Sequence, residues 1–126
     1  MPGQPGLLFH ITTREAWRAA GAAGVYRPGS LEVEGFIHLS GPGQVIDVAN
    51  RLYAGRGGLV LLVINPGALQ ARLVWEPPAG PEPEPAGEDF PHLYGPLNVD
   101  AVEAVVDFPP GPDGSFTLPE VVTALL

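Results

Sequence analysis

The punctuation of this chain limits its fold most: 17 glycines and 16 prolines among 126 residues leave few apolar stretches uninterrupted. Leu59 to Ile64 is one, bounded by Gly58 and by Asn65-Pro66. Val102 to Phe108 is another, closed by Pro109-Pro110. A chain divided this way reads as short strands joined by many turns. Evenly mixed with polar residues, so much glycine and proline would mean disorder. Here 45% of residues are hydrophobic, enough for one core and one compact domain spanning residues 1–126.

Local patterns fill in the elements. Leu7 to Ile11 reads as a first strand. Thr12 and Glu15 match the capping-box spacing, so a helix follows over Thr13 to Ala20, with Arg14 and Arg18 four apart on one face. A loop through Tyr26, Pro28, Gly29 and Ser30 leads into Leu31 to Glu34, and Gly35 turns the chain into the strand "GFIHLS". Period two in that strand sends Ile37 and Leu39 to one side and Phe36, His38 and Ser40 to the other. Val45, Val48, Ala49 and Leu52 predict a second helix over Gln44 to Ala54. Leu59 to Ile64 suits a central strand, Leu73 to Glu76 another, and Val102 to Phe108 a late one. The stretch 77–89, "PPAGPEPEPAGED", reads as a flexible, acidic, proline-rich loop. Order resumes at "FPHLYGPL", and Phe116 to Leu126 is a strand or a short helix. The fold class is α+β, with split or twisted, mostly antiparallel sheets and two short helices in the first half.

Charge narrows the partners. Net charge is −8, and all six basic residues are arginines, so a polyanion such as nucleic acid is disfavoured. A small arginine group can still hold one phosphate. There is no cysteine, hence no disulfide and no thiolate chemistry. No cationic leader and no apolar run near the roughly 20 residues of a membrane span is present, and a cytoplasmic location is the expectation.

Only three histidines occur, and each sits in an ordered, largely apolar segment: His10 in "LLFHIT", His38 in "GFIHLS", His92 in "FPHLYG". A single histidine in a strand is more often a hydrogen-bonded packing residue than a functional one. Three so placed point to a shared cleft, because an unpartnered polar group in an apolar strand costs about 1–3 kcal/mol. Ser40 either faces that cleft or caps the following helix. Tyr26 and Tyr94 either stack on a ligand ring or cover the core, and Trp75-Glu76 either meets a base and a ribose or packs beside solvent. No dinucleotide, P-loop or serine-hydrolase signature is present.

The segments "LLFHIT", "GVY", "SLEVEGFIHLS", "QVIDVANRLY", "LVLLVI", "LVWE" and "FPHLYGPLNVDAV" together resemble the bacterial family of domain of unknown function 952, over roughly Leu7 to Phe108. That family is grouped with ADP-ribosyltransferases and RNA 2'-phosphotransferases. The resemblance implies an ADP-ribosyltransferase-like fold and NAD as substrate, with no metal. It places His10 on the nicotinamide ribose and His38 with Ser40 in the nicotinamide pocket. His92 or Tyr94 falls where transferases keep a glutamate. On this reading His38 or His92 is the general acid/base, Tyr26 and Tyr94 stack, and Arg14 or Arg18 neutralises a pyrophosphate. The alternatives are a non-catalytic small-molecule or peptide binding module and a three-histidine metal site, the latter without any short HxH or HxxxH spacing.

Overall fold

The computed structural model describes residues 6–78 and 88–126. The chain forms a small α+β domain whose strands all pair antiparallel. Strand β1 (Leu8–Thr13), β4 (Leu59–Ile64) and β8 (Val102–Asp107) form one sheet in the order β1-β4-β8. A second sheet has the order β3-β6-β5, from β3 (Ile37–His38), β6 (Phe90–Tyr94) and β5 (Arg72–Glu76). Strands β2 (Val25–Tyr26) and β7 (Leu97–Asn98) make a two-stranded ribbon.

The uninterrupted apolar run of β4 has the meaning its sequence suggests. It is the central strand of its sheet, and every residue in it is buried. Successive side chains point to opposite faces. Val60, Leu62 and Ile64 pack with Leu8, Ile37, Leu39 and Leu93, toward the second sheet. Leu59, Leu61 and Val63 pack with Phe9, Val45, Ala49, Phe108 and Phe116 on the other side. The two sheets meet at one isolated bridge, where Phe9 N–H donates to the Ser40 carbonyl and Ser40 N–H to the Phe9 carbonyl, each at 2.8 Å.

Four helices are present among the described residues: α1 (Arg14–Ala23), α2 (Gly29–Glu34), α3 (Val45–Leu52) and α4 (Glu120–Thr123). Three lie in the first half, one more than the sequence suggests. The extra one is α2, where the alternation Leu-Glu-Val-Glu resembles a strand. No neighbouring strand pairs with it and Val33 is 85% exposed, so the segment coils between Pro28 and Gly35 instead. Gly35 ends it in the left-handed conformation (φ 89°), donating its N–H to the Leu31 carbonyl, a role that suits glycine.

The cap of α1 also falls one residue later than the capping-box spacing implies. β1 continues through Thr13, paired with Leu59, so Thr13 accepts the Ala16 N–H and Thr12 is left buried in the ladder. The unsettled C-terminal segment becomes α4 after Pro119. Of the acidic, proline-rich stretch, residues 79–87 lie outside the described residues.

Phe9 is fully buried between β4 and α3. Phe9→Ala should lower stability by about 3–5 kcal/mol, measured by urea denaturation.

Candidate functional site

A cleft of about 420 Å³ opens where the two sheets meet, within the roughly 300–1,000 Å³ span of small-molecule sites. β1 contributes His10 and Thr12, β2 Tyr26, β3 and the bridge His38 and Ser40, and β6 His92. All three histidines therefore border one cleft. They do not converge as ligands: among the described residues no group of His, Cys, Asp or Glu could hold a metal ion.

His10 uses both ring nitrogens internally. Nδ1 lies 2.7 Å from the His38 carbonyl, which can only accept, so Nδ1 carries the proton. Nε2 lies 2.9 Å from the Tyr26 hydroxyl, which is also 2.9 Å from Thr12 Oγ1. With a neutral ring, the Tyr26 proton goes to Nε2 and the Thr12 hydroxyl donates to Tyr26 in turn. Burial pushes the His10 pKa down to about 4, against a partial offset from the His38 carbonyl. The same burial raises the Tyr26 pKa, so its hydroxyl stays protonated as a donor.

His92 is arranged differently. Its side chain is 2% exposed, and Nδ1–H donates to Glu76 Oε2 at 2.7 Å. Tyr94 donates its hydroxyl to the same oxygen. These two bonds, Tyr94 first and His92 second, hold the Glu76 carboxyl below the usual carboxylate range. The carboxylate in turn raises the Tyr94 pKa. Phe36 stacks on the imidazole at 4.1 Å between centroids. Every fully buried side-chain nitrogen and oxygen among the described residues has a partner. His92 Nε2 has none, so it is the atom of the ring left open to the cleft. The carboxylate thus fixes the orientation and, in the neutral ring, the tautomer, which leaves the lone pair on the opposite nitrogen.

His38 is the direct cross-strand partner of His92, with ring centroids 5.5 Å apart and planes at 72°. Its Nε2 lies 3.1 Å from both Glu34 oxygens. The cleft therefore holds two carboxylate-held imidazoles side by side. The Ser40 hydroxyl is likewise open, since only its backbone groups are engaged by Phe9.

Other candidates lie elsewhere. Arg14 pairs with Asp107, Arg18 is exposed on α1, and half-exposed Trp75 packs beside Gly41; none lines the cleft. Glu76 and Tyr94 stand behind His92 and support it. Missing from the sequence reading are Tyr53 and Arg56, on the turn after α3, which do line the cleft. The one available signal was a cation placed among glycines, just past a helix end, in a chain with few cations.

Residues 11–105 match the family described as "Protein of unknown function (DUF952)", and the chain belongs to that family. It is similar to protein CC0527 of Caulobacter crescentus. The crystal structure of CC0527 is 33% identical with a TM-score of 0.79, covering 93% of this chain and 98% of that one. A double mutant of CC0527 gives 32%, 0.79 and the same coverage. Its solution NMR structure gives 35% identity and a TM-score of 0.74 over 89% and 92% of the two chains. Among curated proteins none matches.

The depressed pKa of His10 fixes a sign. Between pH 6.5, the unfolded value, and about 4, the unfolded chain binds the extra proton, so this stability is present above pH 6.5 and lost as pH falls through the window. Denaturant titrations across that range should show the slope, and His10→Gln should flatten it. Nitrogen-proton NMR should show the His10 ring neutral down to about pH 4.

Proposed function

We propose that the cleft binds a nucleotide of the NAD type, on a fold of the ADP-ribosyltransferase kind, and that the Glu76–His92 pair moves the proton in any transfer. The observation that carries the reading is the composition of the cleft wall. In a chain of net charge −8, the wall sets imidazoles, hydroxyls and an arginine among apolar side chains such as Ile11, Leu39, Val48 and Phe90, and among the described residues it includes no Asp or Glu. Such a wall is open to an anionic or electron-rich ligand that the rest of the surface repels. The resemblance of "LLFHIT" and "GFIHLS" to the transferase strands adds weight.

In ADP-ribosyl transfer the bond from ribose to nicotinamide breaks and nicotinamide leaves as a neutral ring. A bond from the acceptor oxygen to ribose forms, and the acceptor proton goes to His92 Nε2 as general base. His38, turned by Glu34, lies beside the same ligand. His10 has no free nitrogen, so its part is to hold the His38 backbone and Tyr26 in place.

A second reading, binding without transfer, is favoured by that same lack of a carboxylate on the wall. A cation-like transition state has no negative group facing it directly, because Glu76 sits behind the imidazole.

Titrating NAD against the three imidazole signals should move those of His38 and His92 together and saturably. Nucleotide binding fails as a reading if no ring responds in folded protein. Release of nicotinamide by the pure protein, lost in His92→Ala while the His38 ring still responds to NAD, would decide for transfer; saturable binding with no release would decide for the binding module.

A further inference from the structure

We infer that Arg56, held by Tyr53, is the anion anchor of this cleft, and that the ligand carries a phosphate at that end. The inference rests on the nucleotide reading and deepens it by naming the charged group that the ligand must have.

The six arginines separate by what surrounds them. Arg14 is paired with Asp107 and Arg51 with Asp47. Arg72 lies over the Tyr94 ring, near Glu76. Arg18 and Arg27 are exposed and away from the cleft. Arg56 alone lines it. In a chain with 14 acidic residues, Arg56 has no carboxylate partner among the described residues. Its recorded side-chain contact is the Tyr53 ring, whose centroid lies 5.4 Å from the guanidinium carbon. Stacking on an aromatic face leaves the guanidinium edge and its fork of N–H donors unused.

The support is fixed rather than loose. Arg56 N–H donates to the Tyr53 carbonyl at 2.9 Å, and Tyr53 N–H to the Ala49 carbonyl of α3 at 2.8 Å. Gly55 N–H donates to the Gly114 carbonyl at 2.8 Å. Gly55 also takes a positive φ of 76°, which a non-glycine residue there would adopt only with strain. The turn is thus tied to both α3 and the C-terminal loop. Arg56 is itself exposed where it lines the cleft; the ordered turn and the Tyr53 ring narrow where its guanidinium can go, which lessens the freedom lost on binding, and its planar fork matches two oxygens of one phosphate.

The test compares nicotinamide mononucleotide with nicotinamide riboside by calorimetry, and follows the Arg56 Nε–H signal during titration with inorganic phosphate. In the native protein the phosphorylated ligand should bind roughly 10-fold or more tightly than the nucleoside. In Arg56→Gln that ratio should collapse toward one with nucleoside affinity unchanged, whereas Arg56→Lys should keep part of it and Arg18→Gln all of it. Equal affinities in the native protein, or an undiminished ratio in Arg56→Gln, would overturn the anchor and leave the nucleotide cleft standing. If neither ligand binds but phosphate shifts the Arg56 signal, saturably and without effect on Arg18, the anchor stands and the nucleotide reading falls. No response to phosphate in that case overturns both.

Discussion

Two hydrogen bonds between Phe9 and Ser40 hold the site together. They form the one backbone bridge among the described residues that joins the β1-β4-β8 sheet to the β3-β6-β5 sheet, and they satisfy four backbone groups at buried residues that would otherwise be costly. Their position determines what faces the cleft. One residue past Phe9 is His10; two before Ser40 is His38. The bridge brings these strands close enough for His10 Nδ1 to reach the His38 carbonyl at 2.7 Å. That bond then fixes the tautomer, which draws in Tyr26 and Thr12.

The three histidines look alike in sequence and differ in chemistry because of what each nitrogen meets. His10 is closed, with both nitrogens committed to the protein and its charge suppressed by burial. His92 is half-open, with one nitrogen on Glu76 and the other at the cleft. His38 is the most exposed of the three, with its side chain 44% accessible beside Glu34. An account that treated the three as equivalent would assign proton transfer to a ring that has no lone pair to offer.

Much of the fold was legible in the sequence for definite reasons. The run Leu59 to Ile64 had no polar break, and only a strand covered on both faces tolerates that. The alternation in "GFIHLS" placed Ile37 and Leu39 inward as the structure does. What escaped depended on partners far away in sequence. Leu31 to Glu34 alternates like a strand but finds no edge to pair with, so it coils. Thr12 fits a capping box until the β1 ladder claims it. Glu76 reads as a contact for a ribose or as a solvated carboxylate, and its actual role behind His92 is hidden because that contact spans 16 residues and passes through a strand pairing no local pattern records. Arg56 was overlooked for a related reason: a cation after a helix end is only a weak local sign, and that the turn after α3 borders the cleft is set by the fold, whereas Arg14 and Arg18, on a visible helix face, lie away from it.

The cleft wall draws on residues from His10 to His92 and on both sheets, so the binding surface exists only when the whole domain is assembled. Occupancy and folding are then one coupled equilibrium. Any molecule that fills the cleft adds RT ln(1 + [L]/Kd) to the unfolding free energy, about 2.7 kcal/mol at a hundredfold excess over Kd. Resistance to heat becomes a detector for a ligand whose identity need not be guessed beforehand.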